Sequence, residues 1–180
     1  MLGKRRLMML LTTLLATVAA MGVAAPAQAA SFGSFPNYGN RKCVDVATEN
    51  ATLVQLENCN GQQQQQWLTV WVAGGDLNLQ MINQWTGGCL GVDGDATFAQ
   101  ARVISTPCGR PSSIWHNNYA FNDTRPNHAW HQQLKNVNSG LCLDLQWNSS
   151  ANGTPIWLWP CTTGNVSQME ANTAQLWMLP

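Results

Sequence analysis

The sequence predicts an all-β domain of three similar units set around a pseudo-threefold axis. Six cysteines fall into three pairs, Cys43 with Cys59, Cys89 with Cys108 and Cys142 with Cys161, spaced 16, 19 and 19 residues apart. Each pair sits in the same local pattern, in which two short apolar strands are followed by a loop that ends on tryptophan. Beyond residue 30 no stretch sustains a helical period, and Gly, Asn and Ser divide the chain into strands of four to six residues. A unit of about 50 residues buries its own apolar face poorly. Three such units can share one core.

The elements follow in order. The first cysteine of each unit comes out of a turn, "GNRKC", "TGGC" or "NSGLC", and enters an apolar alternation, "CVDV", "CLGV" or "CLDL". A polar turn leads to a second strand that ends on the second cysteine, in "ATLVQLENC", "ARVISTPC" and "GTPIWLWPC". A loop then reaches a tryptophan, in Gln65-Gln66-Trp67, Ser113-Ile114-Trp115 and Gln175-Leu176-Trp177. The run "GQQQQQW" is therefore the end of a unit rather than a disordered tract. Trp67 is expected in the core, and the Gln65 amide is expected to tie down the adjacent loop backbone. The units run over about 40–84, 85–134 and 135–180. Each cysteine pair closes a loop of 16 to 19 residues, worth about 3 kcal/mol in the chain-entropy view of a disulfide.

Residues 1–30 read as a secretory signal peptide. Lys4, Arg5 and Arg6 precede an apolar run, and Ala27-Gln28-Ala29 supplies a small-x-small cleavage site. A membrane anchor is the competing reading, and Pro26 with the small residues after it favours cleavage. The remaining 31–180 form one domain by size, expected to be secreted and without a membrane span. An even number of cysteines in an exported chain makes disulfides the default.

Three of the nine basic residues belong to the leader, so 31–180 keep six basic against nine acidic residues, a net charge of about −3. That balance excludes bulk attraction to nucleic acid or anionic lipid. All nine tryptophans lie after the leader, among many Asn, Gln, Gly, Ser and Thr. This composition suits neutral polar partners better than ionic ones.

The three Cys-x-Asp-like openings and the Gln-x-Trp closings resemble those of the ricin B-chain-type lectin family, whose fold is a β-trefoil. The likeness covers about Asn40 to Pro180. It implies a non-catalytic protein that binds neutral sugar, of galactose type or a related polysaccharide. In that family the Asp two residues after the first cysteine accepts hydrogen bonds from sugar hydroxyls, for which an ionised acceptor is the stronger choice. An aromatic residue two before the second cysteine covers the apolar face of the ring, and the Gln of Gln-x-Trp completes the pocket.

The third unit matches this pattern best, with Asp144, Trp159 and Gln175; Trp157 joins them on the same face of its strand, while Leu158 points to the core. Ala174 stands where the family commonly has Asn, and Asn172 or Gln168 is a possible substitute. The first unit is a weaker site, with Asp45, Gln55 and Gln65 present but Glu57 at the aromatic position. The second has Gly91, Thr106 and Ser113 at the three positions and reads as lost.

Other chemistry is weakly signalled. Asp93 and Asp95 in "VDGD" suit a hairpin turn better than a calcium loop. His116, His128 and His131 lack the further ligand a zinc site wants. No nucleotide, cofactor or hydrolase motif occurs, and no carboxylate pair for glycoside cleavage is marked. Sequons stand at Asn50, Asn122, Asn148, Asn152 and Asn165, with Asn148 and Asn152 expected to crowd the third-unit site. The alternative function is a protein-binding trefoil, such as a toxin subunit or inhibitor, with "NDTRPNHAWHQQ" between Trp115 and Cys142 as its contact loop.

Overall fold

Strand alternation and the three tryptophans account for the architecture. A computed structural model of the chain describes residues 31–73, 77–121, 130–164 and 166–180. The leader (1–30), most of the second-unit insertion (122–129), His128 and the sequons at Asn122 and Asn165 lie outside the described residues.

Among the described residues eleven strands follow in chain order: β1 Gly33–Ser34, β2 Cys43–Val46, β3 Val54–Glu57, β4 Gln66–Trp71, β5 Asn78–Asn83, β6 Cys89–Val92, β7 Val103–Thr106, β8 Trp115–Phe121, β9 His131–Asn136, β10 Cys142–Leu145 and β11 Thr154–Trp159. Neighbours β1, β4, β5, β8 and β9 pair antiparallel in that order. Trp177 takes the place of a twelfth strand, bridging Gln132 on one side and Asn37 on the other, and this closes the ring into a barrel. The hairpins β2–β3, β6–β7 and β10–β11 cap one end. They touch one another cyclically, Leu56 opposite Thr154, Leu53 opposite Ile104 and Arg102 opposite Trp157. The fold is a β-trefoil.

The "CVDV"-type stretches explain how each hairpin is seated. Val44 and Val46, Leu90 and Val92, and Leu143 and Leu145 enter the shared core. The residue between each pair, Asp45, Gly91 or Asp144, therefore faces away from it, because side chains alternate along a strand. The core is completed by Trp67, Trp115 and Trp177, all fully buried. Each indole N–H needs a partner there and finds the same one. Trp67 Nε1 donates to the Val44 carbonyl at 2.9 Å, Trp115 to Leu90 at 2.9 Å and Trp177 to Leu143 at 3.1 Å. The acceptor is always the residue after the first cysteine of the same unit.

A second threefold device binds one unit to the next. Asn37, Asn83 and Asn136 are fully buried, and each lies six residues before the first cysteine of its unit. Asn83 Nδ2 donates to the Gln64 carbonyl at 2.9 Å, Asn136 to Ser112 at 2.7 Å and Asn37 to Thr173 at 2.8 Å. Every acceptor belongs to the closing turn of the preceding unit, with the third unit feeding back to the first. The same amides turn the chain locally, since Oδ1 of Asn37, Asn83 and Asn136 accepts from the backbone of Gly39, Trp85 and Ser139. Asn83 and Asn136 close β5 and β9, and Asn37 forms an isolated bridge with Trp177, so each stands where the barrel hands over to a cysteine-bearing hairpin.

Three disulfides, Cys43–Cys59, Cys89–Cys108 and Cys142–Cys161, close the hairpins. One element differs from the purely strand-and-turn expectation. A short helix, Val166–Ala171, lies in the long loop between Cys161 and Gln175.

Asn83→Ala leaves the Gln64 carbonyl and the Trp85 and Thr86 amides without their buried partner. Unfolding in urea with disulfides intact is expected to show a loss of about 2–3 kcal/mol, against a few tenths for an exposed Asn in a loop.

Candidate functional site

The register of each hairpin sets three positions side by side. In β10–β11, Cys142 lies opposite Trp159 and Asp144 opposite Trp157. In β2–β3, Cys43 lies opposite Glu57 and Asp45 opposite Gln55. In β6–β7, Cys89 lies opposite Thr106 and Gly91 opposite Ile104. The same frame thus presents three different surfaces.

In the third unit a hollow of about 190 Å³ is lined by Asp144, Trp147, Asn148, Trp157, Trp159, Asn172 and Ala174. Asp144 is only 6% exposed. Trp157 Nε1 donates to its Oδ1 at 2.8 Å, and Gln175 Nε2 donates to its Oδ2 at 3.0 Å. Both oxygens are thereby oriented, and each retains acceptor capacity. Burial pushes the Asp144 carboxyl above its ordinary range, opposed by the hydrogen bonds from Trp157 and Gln175.

Gln175 is fully buried and does not line the hollow. It supports from behind, for it also donates to the Pro160 carbonyl at 2.9 Å while its Oε1 accepts from the Thr162 amide at 2.8 Å and from Gln133 Nε2 at 2.9 Å. Trp157 and Trp159 face the same side of β11 and stack, with centroids 5.4 Å apart and planes 16° from parallel. Trp157 is the more buried, at 5%, and its N–H is spent on Asp144. Trp159 is partly exposed and offers the accessible ring. Asn172 lines the hollow beside Ala174 and donates to Thr162 Oγ1 at 2.5 Å. Gln168 lies on the short helix, outside that lining.

Of the lining residues, Trp147 escaped sequence reasoning, whereas Asn148 lies beside the third-unit site as its sequon led one to expect. They sit in the turn between β10 and β11, and both have positive φ, 55° and 49°. The signal for Trp147 was an indole in the otherwise polar "QWNSS", where a strand core gives it no role.

The first-unit hollow is larger, about 400 Å³, and its lining includes Asp45, Glu49, Gln55, Glu57 and Asn152. Volume alone would favour it, but it has no aromatic wall and gathers three carboxylates. Burial raises the Asp45 carboxyl, hydrogen bonds from Gln65 and Gln55 oppose this, and Glu57 and Glu49 add to the rise. Gln65 is buried and ties the loop as expected, accepting from the Asn60 amide at 2.7 Å and donating to the Asn58 carbonyl at 3.0 Å. Asn152 corrects one expectation. It lines this hollow rather than the third-unit one, and Lys42 Nζ donates to it at 2.5 Å. The cause is the cyclic cap, which brings the β10–β11 turn against β3.

In the second unit the position of the missing aspartate is closely packed: a Cβ at Gly91 would meet Thr106 Cγ2 at 2.5 Å, so a side chain there requires Thr106 to shift. Ser112 donates its hydroxyl to Asp95 at 2.6 Å, and Arg110 pairs with the same carboxylate at 2.5 Å. The Ser112 hydroxyl, then the Ser112 amide and Arg110, hold Asp95 below its ordinary range. Asp93 to Asp95 form a 3-10 turn, with Asp95 committed internally. Among the described residues no group of three His, Cys, Asp or Glu side chains is placed to hold a metal ion.

Comparison with known proteins gives a consistent frame. The family model described as "Ricin-type beta-trefoil lectin domain" matches residues 31–169. A search of curated proteins finds no match. Among solved structures, the designed threefold-symmetric protein ThreeFoil superposes with a TM-score of 0.65 at 20% identity, covering 81% of this chain and 95% of that one. The Macrolepiota procera ricin B-like lectin, solved in complex with lactose, gives 0.63 at 17% identity, covering 86% and 96%. The Polyporus squamosus lectin, solved with the epitope Neu5Aca2-6Galb1-4GlcNAc, gives 0.60 at 17% identity, covering 84% and 49%. Likeness at these identities concerns the fold.

A carboxyl NMR titration of the free protein is expected to place the Asp144 midpoint above that of a free aspartate, near 3.9. The raised value means that the folded state holds this proton more tightly than the unfolded state. Stability linked to it is present below about pH 3.9 and is lost as pH rises through the folded midpoint. The stability of Asp144→Asn relative to the parent should therefore grow across that window.

Proposed function

Because the chain belongs to the ricin-type beta-trefoil lectin family, we propose that it is a secreted, non-catalytic lectin that binds a neutral, galactose-type sugar mainly through its third unit. The observation that carries this reading is the convergence of Asp144 and Trp159 on one open hollow. Asp144, pinned by Trp157 and Gln175, accepts from two neighbouring hydroxyls with its remaining lone pairs. A charged acceptor is the stronger partner for such bonds. The Trp159 ring covers the C–H face of the same sugar. Trp157 orients the carboxylate and backs the Trp159 ring, and Gln175 acts only through Asp144.

Lactose and a sialylated galactose epitope in the two natural structural relatives support the galactose-type choice. Asp144 is the one carboxylate among the described residues lining the hollow, whereas glycoside hydrolysis uses two across the bond. The three disulfides suit an oxidising compartment and agree with export of a domain over 31–180 after removal of residues 1–30. The first unit, with Asp45, Gln55 and Gln65 but no stacking ring, is proposed as a weak secondary site.

One pocket of this size supports affinity near the millimolar range, about −4 kcal/mol, so useful retention on a surface comes from multivalency. The alternative, a protein-binding trefoil, is favoured by one observation, the exposed Tyr119 and Trp130 at the β8–β9 hairpin.

Binding of the protein to a panel of immobilised glycans tests the choice. Asp144→Ala and Trp159→Ala should each reduce the signal by tenfold or more, about 1.4 kcal/mol or above, while Asp45→Ala changes it less than about twofold. Binding should also weaken as pH falls through the raised Asp144 midpoint, since the protonated acid is a poorer acceptor. A blank panel together with capture of a defined protein through Tyr119 and Trp130 supports the alternative.

A further inference from the structure

Burial does not explain the position of the Trp147 indole. It is 73% exposed, more than any other large apolar side chain among the described residues. Its ring meets Trp157 only by an edge, with centroids 5.0 Å apart and planes 72° from parallel. Its backbone lies in the left-handed region, φ 55° and ψ 21°, which disfavours a bulky L residue.

The second unit shows what this turn needs for folding alone. Gly94 and Asp95 occupy the corresponding positions, five and six residues after the first cysteine, with φ 59° and 54°. Glycine adopts that conformation without strain. The third unit carries a tryptophan there instead and directs the indole to the edge of the hollow, in the kind of strained position that concentrates at ligand sites.

Size and orientation say what it meets. The hollow, about 190 Å³, is below the ~300–1,000 Å³ of pockets that take drug-sized ligands, so it holds about one sugar ring. A second ring must lie outside, over the rim. Trp157 and Trp159 are nearly parallel, and Trp147 stands steeply to Trp157. Its own ring is thus a separate wall at the mouth rather than an extension of the stacking floor. Asn148 beside it lines the same mouth with a polar group.

We infer that Trp147 is a specificity-determining contact for a second saccharide unit, so that the site takes a disaccharide or a longer chain in preference to a single sugar. The inference rests on the proposed sugar site in the third unit. The first ring lies on Trp159 and Asp144, and the apolar face of the adjoining ring covers the exposed Trp147 indole.

Isothermal titration of the protein with galactose and with lactose tests this, using the parent, Trp147→Gly and Trp159→Ala. Glycine suits the left-handed turn, so Trp147→Gly should melt at the same temperature as the parent or higher. The parent should bind lactose about fivefold more tightly than galactose, the size of one aromatic contact. Trp147→Gly should weaken lactose more than galactose and bring the two sugars within about twofold of each other. Trp159→Ala should lose both. Galactose binding by the parent without a preference for lactose, or equal weakening of both sugars in Trp147→Gly, overturns the second-unit contact and leaves the proposed site standing. Failure of the parent to bind either sugar overturns the site and this inference with it.

Discussion

A buried indole N–H held by a strand carbonyl is the interaction on which the rest of the molecule is arranged. It occurs three times, from Trp67 to Val44, from Trp115 to Leu90 and from Trp177 to Leu143. An unpaired indole N–H in this core would carry the cost of an unsatisfied buried donor, about 1–3 kcal/mol. The partner it takes lies in the strand that starts at the first cysteine. The bond therefore fixes that strand on the barrel with its two apolar residues inward. The residue between them is left facing outward beside the second strand of the hairpin. In the third unit that residue is Asp144, and the position is set by the core before any ligand chemistry enters.

With the frame held constant, the three units diverge only in what occupies the outward face. The third presents a carboxylate and partly exposed indoles, the first a carboxylate among other acids, and the second a packed seam of Gly91, Thr106 and Ser112. Holding Asp144 nearly out of water costs free energy, visible as the upward displacement of its carboxyl. The hydrogen bonds from Trp157 and Gln175 offset part of that cost and give the acid a single orientation. Such an arrangement does little for folding and is the kind of local inconsistency expected at a functional site.

How much of this was legible in the sequence depended on whether the signal was local. The disulfide pairing, the inward and outward residues of "CVDV", "CLGV" and "CLDL", and the core role of the closing tryptophans are properties of single strands and single spacings. The asparagine clamps were present in every unit, six residues before the first cysteine, yet their neighbours in "NYGNRKC", "NQWTGGC" and "NVNSGLC" differ enough to hide the repeat. Asn152 was assigned to the wrong hollow because the cap places the turn of one hairpin against its neighbour, which no local pattern encodes. Trp147 was missed because its importance lies in a left-handed backbone and in exposure. The family resemblance supplied the roles of Asp144, Trp159 and Gln175, and the geometry added that Gln175 is fully buried behind Asp144 while Trp159 lines the hollow.

The central claim is that the ligand lies on the third-unit indoles and nowhere near the core ones. A two-dimensional ¹H–¹⁵N spectrum resolves the nine tryptophan indole N–H groups of the chain, and titration with lactose reads each separately. Selective shifts of Trp147, Trp157 and Trp159, with Trp67, Trp115 and Trp177 unmoved, are the result the account requires. Saturable shifts confined to indoles outside the third-unit hollow would contradict it.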